Sequence, residues 1–263
     1  YCTYWVARDG FECQFAVPWE RTYEFLQEGL NMVRRYVEAQ KIPIKGGTIE
    51  HKPNEPRGEM FLPTVGHALA LIAELEDPDF WGVNPEVLQH DQMTGLTSIG
   101  SVAFALSMNK LFFLHLGNQK PNQFDNDNPP LVGMDGVKEL VSILYLLNRV
   151  QWEGVVEFDN HMLRTDTVPG EEQKLEVRRD YIRLAVESYR LAERKANTLL
   201  AESALRNAQE KLWYAHREIE DMLNRKDFHE IAFYRFDLQE LLREKLRIGW
   251  LDFLANRILL GEQ

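Results

Sequence analysis

Four side chains able to bind a cation close four successive short apolar runs. Glu50 follows Thr48-Ile49, and Glu86 follows the run around Val83. His115 ends Lys110-Leu111-Phe112-Phe113-Leu114, and Asp159 ends Val155-Val156-Glu157-Phe158. Asp125 and Asp127 stand in the Gly-, Asn-, Asp- and Pro-rich stretch 117–133. In a parallel barrel the C-terminal strand ends converge on one face, so groups tens of residues apart can share one cavity. Carboxylates gathered in this way repel one another unless cations neutralise them. An oxygen-rich set with an imidazole suits Mg²⁺, Mn²⁺ or Co²⁺. Any one of these residues could equally be a helix N-cap or a solvated loop group. Their repetition at four consecutive run ends favours a metal site.

The elements needed to position them are legible as patterns. Leu26, Leu30, Val33 and Val37 recur at helical spacing within 20–40. Gly46-Gly47 breaks the chain before Thr48-Ile49-Glu50, a short strand. Thr64 is placed to cap a helix running to about Leu75, ahead of Pro78. Further helices are expected over 99–108 and from Asp135 to Leu147, where Leu140, Val141, Leu144 and Leu147 share a face. With Cys2 to Val6 as the first, about five strands alternate with helices. That order predicts βα units and a parallel sheet. After Gly170 the chain changes character. Residues 171–225 and 237–260 are rich in Glu, Arg, Leu and Ala and have helical periodicity. The expected division is therefore 1–170 and a helical extension, 171–263.

Composition narrows the function classes. The chain has 263 residues, 44% of them hydrophobic, enough for a sizeable core. Its 41 acidic against 30 basic residues give a net charge of -11. This argues against nucleic acid or an anionic membrane surface as the main partner. No apolar run reaches the ~18 residues of a membrane-spanning helix. Two cysteines, Cys2 and Cys13, make neither a disulfide framework nor a Cys metal site, which suggests a reducing, cytoplasmic setting. The chain starts at Tyr1 without a signal-peptide pattern, and a fragment or a processed chain is expected.

The segment Ile49-Glu50-His51-Lys52-Pro53-Asn54-Glu55-Pro56-Arg57-Gly58-Glu59 resembles the KPNEPRGD signature of xylose isomerase. Leu62 to Ala70 resembles its continuation. Gly82 to Val87 and His90 to Leu96 are similar to the family's NPEVGHEQMAGL segment. Lys110-Leu111-Phe112, Phe124 to Asp127, and Phe158-Asp159 with Arg164-Thr165-Asp166 resemble further motifs in the same order. Trp5 to Glu12 is similar to WGGREGYE. The resemblance implies a (β/α)₈ TIM barrel, here incomplete with about five βα units. It implies an aldose–ketose isomerase that converts D-xylose to D-xylulose, with D-glucose to D-fructose as a further conversion, by a two-metal 1,2-hydride shift. Carried over by position, one divalent cation (Mg²⁺, Mn²⁺ or Co²⁺) takes Glu50, Glu86, His115 and Asp159. The other takes Glu86, His90, Asp125 and Asp127. Lys52 becomes the catalytic lysine. Trp5, Lys52 and Glu50 line the sugar, with Trp5 in the apolar wall that keeps water from the hydride path. A cytoplasmic homo-oligomer, a dimer or tetramer, is implied, its helical tail embracing a neighbouring subunit.

Three departures qualify the match. His115 replaces a family aspartate, which should move metal preference away from Mg²⁺ towards Mn²⁺, Co²⁺ or Zn²⁺. Glu86 and His90 are four apart rather than three, with the insertion at Val87-Leu88-Gln89. His161 replaces a family lysine, with surface or pocket roles ranked above ligation. His51, His67, His216 and His229 read as packing or remote residues. Five strands do not close a barrel of eight, which favours a piece of a longer enzyme. The competing readings are a non-catalytic relative that keeps the fold, and an isomerase or epimerase of another sugar.

Overall fold

The computed structural model describes residues 1–5, 15, 17–54, 60–123, 125, 127–131, 136–161, 170–235 and 237–262. Parts of four motifs lie outside the described residues: Val6 to Glu12, Glu55 to Glu59, Phe124 with Asn126, and Arg164-Thr165-Asp166. Cys13 does too.

Strands and helices alternate as the pattern requires. In chain order they are β1 (Cys2–Trp5), α1 (Trp19–Ala39), β2 (Gly47–Glu50), α2 (Val65–Ala73), β3 (Trp81–Val83), β4 (Glu86–Val87), α3 (Ser98–Ser107), β5 (Phe113–Leu116), α4 (Val137–Arg149) and β6 (Val155–Phe158). Every pairing between them is parallel. Helices separate β1 from β2, β2 from β3, β4 from β5 and β5 from β6, the crossover arrangement that parallel pairing demands. The chain is thus mixed α/β with parallel strands in small sheets.

The third expected strand is split in two by Asn84-Pro85. Proline has no N–H to give to a ladder, so the run is interrupted there. Its neighbours keep contact across the break. Val83 bridges Leu111, and His115 N–H donates to Pro85 O at 3.2 Å. The sheets β1-β2-β3 and β4-β5-β6 are therefore linked side by side. Gly47 is the first residue of β2 rather than a break before it. A Cβ there would lie 2.3 Å from the Trp81 ring, so glycine lets that fully buried indole pack on the strand.

The helices bury the expected faces. Thr64 Oγ1 accepts from His67 N–H and caps α2, whose Ala68, Leu69 and Ile72 are buried against the sheet side. In α4, Leu140, Val141, Ile143, Leu144 and Leu147 are buried. They join Ile49, Val83, Leu114 and Leu116 in the core. His67 itself is exposed and serves the cap, pairing with Thr64 Oγ1 through Nδ1 at 2.8 Å, rather than packing as its position suggested.

The rest is helical among the described residues: α5 (Glu171–Ala201), α6 (Ser203–Asn224), α7 (Phe228–Phe233) and α8 (Leu238–Leu260). Asp227 and Asp237 cap α7 and α8 with their carboxylates. The chain divides into two compact units, Tyr1–Ala192 and Glu193–Gln263. In the second, α6 packs on α7 and α8, and Lys195 Nζ donates to Ile258 O at 2.8 Å. None of the described helices is long and apolar enough to cross a membrane.

Candidate metal centre

Register levels the strand ends. Trp5 pairs with Glu50, Glu86 with His115, and Leu116 with Phe158, one residue before Asp159. In a parallel ladder, residues at one level whose side chains point the same way share a surface. Three groups of potential ligands result: Glu50, His115 and Asp159; Glu50, Glu86 and His90; Glu86, Asp125 and Asp127. Within each, one donor atom per residue lies within 4.8 Å of the others. Glu50 and Glu86 each serve two groups, so all seven residues expected to bind metal are linked in one cluster.

The contacts are specific. Glu50 Oε2 accepts from Asn84 Nδ2 at 3.2 Å and lies 3.2 Å from His115 Nδ1. His90 Nδ1 stands 3.7 Å from Glu50 Oε1, and its Nε2 is 2.7 Å from Glu86 Oε2 and 3.8 Å from Asp125 Oδ2. Lys52 Nζ donates to Asp125 Oδ2 and sits 4.8 Å over the Trp5 ring. Gln89 Nε2 donates to both Asp125 and Asp127. His161 Nδ1 lies 2.5 Å from Asp127 Oδ2. It is exposed and touches a carboxylate of the cluster.

The one-residue insertion is absorbed by backbone conformation. Leu88 adopts φ +64°, an uncommon state for a branched apolar residue, and is fully buried. Its N–H donates to Ser98 Oγ and its carbonyl accepts from Gln119 N–H, both at 3.0 Å. This left-handed step lets Glu86 and His90, four apart, meet in the cluster.

Electrostatics test whether a cation fits. Glu86 is 1% exposed; its Oε2 faces the His90 imidazole at 2.7 Å, and its Oε1 has no hydrogen-bond partner. A buried carboxylate in that state is costly unless a cation faces it. Burial pushes the Glu86 carboxyl up to about 8 despite His90 beside it, with the charges of Glu50 and Asp125 adding to the rise. Burial and Asp125 push Asp127 up to about 7. Burial opposes charge on His90, but Glu86, Asp125 and Glu50 outweigh it and hold the imidazole at about 10. Against the same burial cost, His90, Asp127 and Lys52 hold Asp125 well below the usual carboxylate range. Burial opposes charge on both Glu50 and His115, but His115 and His90 lower Glu50, and Glu50 raises His115. The cluster thus retains protons on Glu86, Asp127 and His90 that a divalent cation would displace. The residues present fit a cation.

Asn84, Gln89 and the His51–Asp91 pair were not anticipated. His51 does alternate away from Glu50 and Lys52, but the side it faces is the interior. It is fully buried, its Nε2 pairs with Asp91 Oδ1 at 3.1 Å, and its ring lies edge-on to His90. Ser101 Oγ completes the arrangement by donating to Asp91 Oδ1 at 3.0 Å. The signal available was a histidine beside a motif glutamate together with an acidic residue after His90.

Over 166 residues the chain is 36% identical to a xylose isomerase of Thermus caldophilus, covering 63% of this chain and 42% of that protein. It is 35% identical to a xylose isomerase of Thermus thermophilus over the same lengths and shares. With one of Streptomyces lividans it is 38% identical over 162 residues, 62% of this chain and 40% of that one. No family model matches the chain. The chain spans about two-fifths of the length of the curated relatives it matches. The resemblance carried by the Glu50–Glu59 segment and the motifs around it is borne out: over some 63% of its length this chain is similar to xylose isomerases.

Proposed function

We propose that this chain carries the cation-binding part of an aldose–ketose isomerase acting on D-xylose, with D-glucose as a second substrate. The observation that carries the reading is Glu86, a buried carboxylate whose Oε1 has no hydrogen-bond partner and which is shared by two of the three ligand groups. Similarity to xylose isomerases supports it. In this reading Glu50, Glu86, His115 and Asp159 hold one divalent cation, and Glu86, His90, Asp125 and Asp127 the other. Bound there, paired Lewis acids polarise the two sugar carbons between which a 1,2-hydride shift runs.

The chain's own groups do the rest. Lys52 donates a hydrogen bond to O1 of the open-chain sugar, its ammonium oriented by Asp125 and by the face of Trp5. Trp5 walls the hydride path and excludes water. Glu50 adds a contact to a sugar oxygen. The linked parallel sheets form an arc of a (β/α)₈ barrel. His115, an imidazole where the family has a carboxylate, shifts preference towards Mn²⁺ or Co²⁺. The exposed Leu238, Leu242, Trp250 and Phe253 of α8 support a helical extension that contacts another subunit of a dimer or tetramer. The setting is cytoplasmic.

The test is Mn²⁺ binding by the 263-residue chain together with xylose-to-xylulose conversion by the enzyme that carries it. Bound cations and turnover support the reading, and the absence of both removes it. A second reading is favoured by the Lys52–Asp125 ion pair, in which a lysine neutralises a proposed ligand. It is a non-catalytic relative that keeps the fold, and it requires that no divalent ion bind tightly.

A further inference from the structure

The family motif has no counterpart of Gln89, which lies in the one-residue insertion. Its surroundings are nonetheless those of a built site. Gln89 is fully buried, with 0% exposure. Its side-chain amide donates one N–H to Asp125 Oδ1 and the other to Asp127 Oδ1. Its Oε1 has no hydrogen-bond partner. The turn that delivers it is fixed by the left-handed Leu88 and by Met93 N–H donating to Gln89 O at 3.1 Å. Room for the amide is kept by Gly117, where a Cβ would stand 1.7 Å from Gln89 Oε1.

We propose that Gln89 is a positioning residue of the Glu86–Asp125–Asp127 group, its amide holding Asp125 and Asp127 side by side against their mutual repulsion so that both can serve one divalent cation. The proposal rests on the two-cation reading above. The physical reason is repulsion. Two buried carboxylates side by side push apart, and a neutral double donor is a way to hold them together without using up a charge. An NH₂ group can bridge two acceptors, whereas a hydroxyl or an apolar side chain cannot. The fixed oxygens are Oδ1 of each aspartate. Asp125 Oδ2 faces Lys52 and His90, and Asp127 Oδ2 faces His161. The Glu50–His115–Asp159 group contains neither aspartate, so Gln89 should leave it alone.

That selectivity is the test. The full chain and its Gln89→Met variant, near in volume but without the amide, are titrated with Mn²⁺, free ion being counted by electron paramagnetic resonance. The expected result is two sites in the parent. In Gln89→Met one site weakens by about 10- to 100-fold, as loss of a ligand's supporting hydrogen bond typically does, and the other changes less than about twofold. Equal weakening of both sites would mean a general structural role and overturn the proposal, as would two unchanged sites. Gln89→Glu keeps the shape but replaces donor with acceptor. It should also weaken the same site, and tighter binding would show that an oxygen rather than the N–H pair matters, overturning the clamp. Should Gln89→Met not fold by circular dichroism, Gln89→Asn, an amide too short to span both aspartates, takes its place with the same expected loss. A parent that binds no Mn²⁺ would remove the two-cation reading and Gln89's role with it. A parent that binds two ions, with an indifferent Gln89 variant, would remove only the clamp.

Discussion

Replacing Glu86 by Gln separates what the cluster costs from what it does. The Glu86 carboxyl is displaced from its ordinary 4.5 to about 8, with burial as the first cause. A folded value above the unfolded one means that the folded, cation-free chain holds the proton more tightly. The associated stability is present below pH 4.5 and is lost as pH rises through 8. At one pH unit per about 1.4 kcal/mol, the loss reaches at most about 5 kcal/mol above pH 8. Glutamine keeps the shape without ionising, so Glu86→Gln removes that loss. His90, held at about 10 chiefly by Glu86, gives part of it back when its partner goes. The net gain expected is about 2 to 4 kcal/mol. The assay is urea denaturation with chelator present, at pH 4.5 and at pH 9. The variant should be more stable than the parent at pH 9 and equal to it at pH 4.5. Because Glu86 is shared between ligand groups, the same variant should lose cation binding at more than one site. A variant less stable than the parent at pH 9, or one with the same gain at both pH values, would refute the reasoning.

Cation affinity should rise with pH from about 6 to 9, because Asp127 at about 7, Glu86 at about 8 and His90 at about 10 must release protons to bind metal. Calorimetry in buffers of different ionisation heat would show proton release near neutrality, and no release would contradict the assignment. Lys52→Met should abolish xylose turnover in the enzyme that carries this chain, by about 100-fold or more, while leaving the number of bound cations unchanged. Full turnover in that variant would sink the catalytic role. His115→Asp should raise Mg²⁺ affinity relative to Mn²⁺ by about tenfold, measured by competition. An unchanged ratio would mean that His115 does not ligate. Gly117→Ala should weaken the same cation site as Gln89→Met, since the added carbon would strike Gln89 Oε1.

Local pattern carried most of the fold. The apolar runs ending at Glu50 and Phe158 are strands, the run to His115 is one from Phe113 that extends to Leu116, and the 3.6-residue spacing of Leu140, Leu144 and Leu147 is a buried helix face. What escaped the pattern depended on single backbone atoms or on distant partners. Pro85 divides a strand because it lacks a donor, and Gly47 stays in one because Trp81 needs its space. In the cluster, motif carry-over located the charged groups. It did not show that Lys52 pairs with Asp125 across 73 positions, or that His51 faces a buried Asp91. Gln89 was legible only as an insertion, because its role comes from the left-handed Leu88 that turns it inward.

Crystals of the 263-residue chain soaked in Mn²⁺ and measured at the manganese absorption edge test the central claim most directly. The account predicts two anomalous peaks per chain, one among Glu50, His115 and Asp159 and one among Glu86, Asp125 and Asp127. No peak within reach of Glu86 would contradict it.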